Sequence, residues 1–119
     1  MPVSRGFLDF VVEQLDGCGP IVTKRMFGGA GIYSGDVFFA IVANDVLYLK
    51  ADDETREEFE RAGCAPFTPY PGKPASMQYY AVPVSVLEDA DELVAWGRKA
   101  IAAAVRASTS TRRRRPFER

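Results

Sequence analysis

The sequence predicts a single α+β domain: an antiparallel meander sheet of five to six strands, flanked by an N-terminal helix, a short middle helix and a long C-terminal helix. Three observations predict it. Apolar residues recur at helical spacing near both ends of the chain. Residues 37–43 (Val-Phe-Phe-Ala-Ile-Val-Ala) are apolar at every position between two turn signals, as in a strand covered on both faces. Ahead of them, Arg25-Met26-Phe27-Gly28-Gly29-Ala30-Gly31-Ile32-Tyr33 sets three glycines among apolar residues, the mark of a bent strand or of a loop that a ligand approaches closely.

Residues 4 to 16 form the first helix, with Ser4 as N-cap, Phe7, Leu8, Val11, Val12 and Leu15 along one stripe, and Gly17 in the left-handed C′ position. Gly19-Pro20 ends it. Ile21 to Phe27 is a strand in which Lys24 and Arg25 must point to opposite faces, so at least one of them meets solvent or a partner. Ser34-Gly35-Asp36 and Asn44-Asp45 are turns on either side of the 37–43 strand, and Val46 to Lys50 returns as its hairpin partner.

Asp52 to Ala62 is a thin-striped peripheral helix, capped by Asp52 or Asp53, ended by Gly63, and turned inward through Phe59, Ala62 and Thr55. Its Glu57, Glu58 and Glu60 are read as a solvated outer face. Pro66, Pro69 and Pro71 confine their segment to an edge strand or extended loop, since proline donates nothing to a ladder, and Gly72-Lys73-Pro74 is a turn. Residues 76–82 form another strand. Pro83 opens a short helical turn to Leu87 as its N1 residue, and Asp89 with Glu92 caps the last helix. That helix presents Leu93, Trp96, Gly97, Ala100, Ile101, Ala104 and Val105 to the sheet. The folded domain is expected over residues 1–107, with 108–119 as a disordered basic tail.

The 119 residues, 47% of them hydrophobic, suffice for one core without staples. Cys18 and Cys64 lie far apart and outside any C-x-x-C pair, so both are expected to be packed reduced thiols. No signal segment or run of about 20 apolar residues is present, and a cytoplasmic location with no membrane contact is expected. There is no histidine, which removes Ser-His-Asp and Cys-His nucleophilic sites and His-held metals. The net charge of −1 conceals a division: residues 1–111 carry 10 Lys and Arg against 15 Asp and Glu, a net of −5, and residues 112–119 carry 5 against 1, a net of +4.

The glycine cluster fits neither G-x-G-x-x-G nor a phosphate loop, because a strand follows it and not a helix N-terminus. Gly28, Gly29 and Gly31 are therefore read as a structural motif, a bulge or tight bend in the meander, with a binding loop as the alternative. The carboxylate pairs Asp52-Asp53 and Glu57-Glu58 are read as capping and solvation. Tyr48, Tyr79 and Tyr80 are strand aromatics suited to cross-strand packing. No nucleophile has a base beside it, and neither a cofactor nor a metal is indicated. Arg112, Arg113, Arg114 and Arg115, helped by Lys24 and Arg25, are candidate phosphate contacts of a salt-sensitive, sequence-independent kind.

Residues 24–33 (Lys-Arg-Met-Phe-Gly-Gly-Ala-Gly-Ile-Tyr), 47–53 (Leu-Tyr-Leu-Lys-Ala-Asp-Asp) and Gly72-Lys73-Pro74, with Ser76-Met77 and Tyr79-Tyr80, resemble the TfoX/Sxy N-terminal domain in the same order, over about residues 7 to 105. The resemblance implies an α+β fold related to secretion-chaperone-like domains, and a family that includes regulators of natural competence acting with a cyclic-AMP receptor protein at promoters. It implies no catalytic residues. Two-domain members carry a separate C-terminal domain where this chain has its short basic tail. The expected function is that of a small non-enzymatic regulator or adaptor that binds a protein, whether transcription machinery or another copy of itself. The alternative is a nucleic-acid accessory protein that uses the arginine tail.

Overall fold

The computed structural model describes residues 5–26, 29–67 and 76–114. Helix α1 (Arg5–Gln14) buries Leu8 and Val11, and Leu15 is buried just beyond it. Ser4, the expected cap, lies outside the described residues. The chain does not turn at Gly17: a 3-10 turn over Asp16–Cys18 follows α1, and the left-handed residue is Gly19, with φ 97°. The added turn brings Gly17 against Val94 of the last helix, where a Cβ would lie 3.0 Å from a Val94 methyl.

Strands β1 (Ile21–Met26), β2 (Gly29–Ser34), β3 (Val37–Ala43) and β4 (Val46–Lys50) form an antiparallel meander. Gly35 (φ 62°) makes the β2–β3 turn, and Asn44 and Asp45 (φ 55° and 58°) make the β3–β4 turn, where successive positive φ values match the twist of a two-residue hairpin. Helix α2 (Arg56–Arg61) then leads to β5 (Pro66–Phe67) and β6 (Ser76–Ala81). The six-stranded order is β1-β2-β3-β4-β6-β5, so the meander is broken once: β6 pairs with β4, and the proline-bearing β5 is left at the edge. Helix α3 (Val84–Leu87) takes Pro83 as its N-cap residue, one position before the expected N1.

Helix α4 (Ala90–Arg114) starts where Asp89 Oδ1 accepts the Glu92 N–H at 3.1 Å. It continues to Arg114 where the sequence places a tail from 108 onward; no glycine or proline interrupts 98–115, and alanine and arginine are strong helix formers. Residues 115–119 lie outside the described ones. No helix among the described residues is long and apolar enough to cross a membrane.

The core joins α1 and α4 to one face of the sheet through Leu8, Val11, Leu15, Ile32, Val42, Leu47, Leu49, Tyr80, Leu93 and Ala100. Each fully buried large apolar side chain stabilises the fold by about 1.5–3 kcal/mol relative to exposure. Gly97 lets α4 close on the 3-10 turn, since a Cβ there would lie 2.9 Å from Cys18 Sγ and 3.1 Å from Leu15 Cδ2. Two expected inward residues point out. Val105 is 44% exposed while Ala103 is fully buried, and Ala62 is exposed because α2 ends at Arg61 and turns away through Gly63 (φ 77°).

Candidate interaction face of the sheet

The helices and the core occupy one face of the sheet; the side chains on the other face belong to a separate set. Which residues reach that second face is decided by a β-bulge. Ile32 pairs with Ala40, but the next residue, Tyr33, pairs with Phe38, so Phe39 is an extra residue in β3. Phe39 and Ala40 are both buried toward the helices, and Phe38 is carried to the other side beside Tyr33. Strict alternation along an all-apolar strand would have placed Phe38 with Ala40 and Val42 in the core.

Phe38 stacks on Tyr33 (ring centroids 5.0 Å apart, 27° between planes) and meets Tyr79 of β6 at 5.9 Å and 41°. A lysine closes each end of the row: Lys24 Nζ lies 5.2 Å from the Tyr33 ring centroid, and Lys50 Nζ lies 5.2 Å from that of Tyr79. These are cation–π distances. Tyr48 meets Phe67 edge-on at 4.9 Å farther along the same face. All five aromatics are half-buried, Lys24 is exposed, and Val22 on β1 is 44% exposed.

The cross-strand register also shows what is missing from this face. Lys24 pairs with Gly31, Gly31 with Ile41, and Ile41 with Tyr48, so β2 offers backbone between Lys24 and Ile41. Among the described strand residues that the register sets here, no aspartate or glutamate appears, and the charged ones are Lys24 and Lys50. Arg25, on the opposite side of the same edge strand, is also exposed. Lys50 is nearly buried, with Nζ donating to Gln78 Oε1 at 3.0 Å. Burial lowers its pKa and Arg56 adds to that, while Asp52 opposes the shift. Burial, and then the neighbouring Tyr33, raise the pKa of the Tyr79 phenol, so this ring is neutral at physiological pH.

Gly28 lies outside the described residues. Gly29 opens β2 with a φ outside the left-handed region, and its constraint is the approach of backbone: a Cβ there would collide with the Val42 carbonyl oxygen. The side chains of Arg112, Arg113, Arg114 and Arg115 are likewise not described, so the arginine cluster is placed only as the end of α4 and the residue after it.

The carboxylates expected to cap and solvate are engaged in structure. Asp52 Oδ1 accepts the N–H groups of Glu54 and Thr55 at 3.0 and 3.2 Å, and Oδ2 accepts from Arg106 Nε at 2.6 Å. The Arg106 hydrogen bond holds the Asp52 pKa below its ordinary value, against the effect of burial. Asp53 pairs with Arg56 at 2.8 Å, Glu57 with Arg61 at 3.2 Å, and Glu58 with Lys99 at 3.1 Å. Glu60 accepts the Tyr80 hydroxyl at 2.9 Å. The outer face of α2 is thus an ion-paired surface as well as a solvated one. A shallow pocket lined by Thr55, Glu58, Phe59, Trp96 and Lys99 has its two charges joined in the Glu58–Lys99 pair.

Lys24 and Arg25 were visible in the sequence as candidate phosphate contacts and Tyr48 and Tyr79 as packing aromatics; the row itself was not, because Phe38 joins it only through the bulge and Tyr79 only through the β4–β6 pairing.

A family model described as the TfoX N-terminal domain matches residues 13–104. A curated relative, DNA transformation protein TfoX1 of Aliivibrio fischeri (strain ATCC 700601 / ES114), is 33% identical over 61 residues, which cover 51% of this chain. The matched stretch spans 27% of that relative's length.

Proposed function

Because the chain belongs to the TfoX N-terminal domain family, we propose that it is a non-catalytic regulatory module that acts by binding a macromolecular partner through the face of its sheet opposite the described helices. One observation carries this role: the continuous row Lys24, Tyr33, Phe38, Tyr79 and Lys50 lies on the side of the sheet away from the core. Half-exposed aromatics flanked by cations have the composition of interface anchors, because rings contribute large apolar area at low entropic cost. The name of the A. fischeri relative, a DNA transformation protein, supports a place in the regulation of competence. The adaptor role expected from the sequence needs such a face, whereas the nucleic-acid alternative is placed on the arginine run 112–115.

The role is tested in the native cell by replacing the chromosomal copy with a deletion, with Phe38→Leu, or with Glu13→Gln on helix α1 as a control, and measuring transcript levels. Phe38→Leu should reproduce the deletion profile and Glu13→Gln should match wild type. A Phe38→Leu strain indistinguishable from wild type, or a purified turnover activity lost on changing a carboxylate, would sink it.

A further inference from the structure

We infer that the open edge of β1 is a further docking site, separate from the ring-bearing face, and that it takes an extended acidic segment of another protein as an added strand, with two successive carboxylates of that segment meeting Lys24 and Arg25.

The backbone selects an extended chain. Strand β1 is one edge of the six-stranded order, paired only with β2 among the described strands. The opposite edge, β5, is two residues long and carries Pro66, whereas β1 runs six residues with neither a proline nor a break in its register. Which of its backbone groups are unmet follows from the pairing. The two-residue turn at Asn44 and Asp45 closes on the hydrogen-bonded pair Ala43 and Val46, so alternation turns the N–H and C=O of Val42 toward β2 and those of its partner Ala30 toward β3. Arg25, opposite Ala30, therefore directs its own N–H and C=O away from the sheet, and Thr23 and Ile21 do the same at the strand period. Residues 22–25 are all exposed. Such a row of unmet donors and acceptors is a template for one more strand.

Charge selects an acidic one. Every other cation with a described side chain is engaged: Arg56, Arg61, Lys99 and Arg106 pair with carboxylates, Lys50 donates to Gln78, and Arg98 donates to the Gly17 carbonyl at 3.1 Å. Lys24 and Arg25 stand apart. Among the described residues neither has a carboxylate or carbonyl partner, Lys24 has only the Tyr33 ring, and neither β1 nor β2 contains an aspartate or glutamate. Successive strand residues point to opposite faces, so this edge presents one unpaired cation on each face, and an incoming strand answers both with two successive carboxylates. A second copy of β1 does not fit. Paired antiparallel over all six residues, it would set Thr23 opposite Lys24 and Val22 opposite Arg25, bringing Lys24 of one chain diagonal to Arg25 of the other on each face with no acid between them. Unpaired cations guard an edge against such self-pairing and leave it open to a strand of opposite charge.

The experiment follows amide shifts and hydrogen exchange of the isotope-labelled full chain by NMR. The probe is a synthetic peptide of about eight residues, alternating threonine and valine around two successive glutamates, with glutamine and lysine versions beside it. In the free protein the amides of Thr23 and Arg25 should exchange fast and those of Val22 and Lys24, bonded to β2, slowly. The glutamate peptide should slow Thr23 and Arg25, the glutamine peptide should bind about threefold or more weakly, and the lysine peptide should not bind. Thr23→Pro removes an outward N–H without touching the β2 ladder and should weaken binding about tenfold or more. The double variant Lys24→Glu with Arg25→Glu should reverse the preference to the lysine peptide, and Phe38→Leu should leave binding unchanged. Circular dichroism and melting check the fold; if Thr23→Pro proves unfolded, the charge reversal decides. Protection of Thr23 and Arg25 in the free protein, no shift along β1 with the glutamate peptide at millimolar concentration, equal binding of the three peptides, or binding lost in Phe38→Leu would each overturn the inference. A free protein that sediments as a dimer and is made monomeric by Thr23→Pro would also overturn it, with a second copy as the occupant. The role of the ring-bearing face is decided separately, by the transcript profile of Phe38→Leu.

Discussion

Arg106 of α4 donates from Nε to Asp52 Oδ2 at 2.6 Å, and the same carboxylate caps the turn that opens α2 through its other oxygen. One side chain thus fastens the long helix to the β4–α2 junction. Its guanidinium also lies 3.3 Å from Glu54. Arg106→Ala should lower stability by about 0.5–1.5 kcal/mol in urea denaturation, a modest figure because Arg106 is 38% exposed. The sign with pH follows from the depressed Asp52 pKa. The contribution is present above the unfolded carboxylate value of about 3.9 and disappears as pH falls through the lower folded value. Asp52→Asn should therefore flatten part of the acid limb of the stability profile.

Gly29 and Gly6 should answer substitution in opposite directions. A methyl at Gly29 meets the Val42 carbonyl, so Gly29→Ala should cost about 1–3 kcal/mol by forcing β2 away from β3. Gly6 in α1 has open space where a methyl would stand, with no atom within 4 Å, so Gly6→Ala should add up to about 1 kcal/mol through helix propensity. Thermal melting of the two variants beside wild type checks both.

Tyr80 is buried, stacks on Phe59 at 5.4 Å and donates its hydroxyl to Glu60. Tyr80→Phe should cost about 0.5–1.5 kcal/mol. Burial, with Glu60 beside it, raises the Tyr80 pKa, so the native state keeps this proton to higher pH than the unfolded chain does. Stability from this group is complete below the unfolded value of about 10 and is lost as pH rises through the folded one. Alkaline denaturation followed by fluorescence should begin above about pH 10 and be less steep in Tyr80→Phe.

Cys18 and Cys64 are half-buried thiols, unpaired by any disulfide, and burial raises both pKa values, with Arg98 partly opposing the shift at Cys18. Both should alkylate with iodoacetamide more slowly near pH 7.5 than a small free thiol of pKa about 8.5. Mass spectrometry of timed reactions would show two sites that accelerate together only in denaturant.

By itself the sequence determined the order and kind of the elements, because helical period, turn chemistry and proline act locally. Asp89 caps α4, Asn44 and Asp45 turn the β3–β4 hairpin, and Pro66 confines β5 to an edge, each for reasons contained within a few residues. It also separated the acidic body from the arginine run and, by lacking histidine, removed whole classes of chemistry. Tertiary structure alone decided the faces. A strand apolar at every position carries no period to say which side is core, so the bulge at Phe39 had to be formed against Ile32 and Tyr33 before Phe38 could leave the core side. The passage of β6 beside β4 then set Tyr79 next to Phe38 and Lys50. Those pairings join residues far apart in the chain, and only packing selects their register.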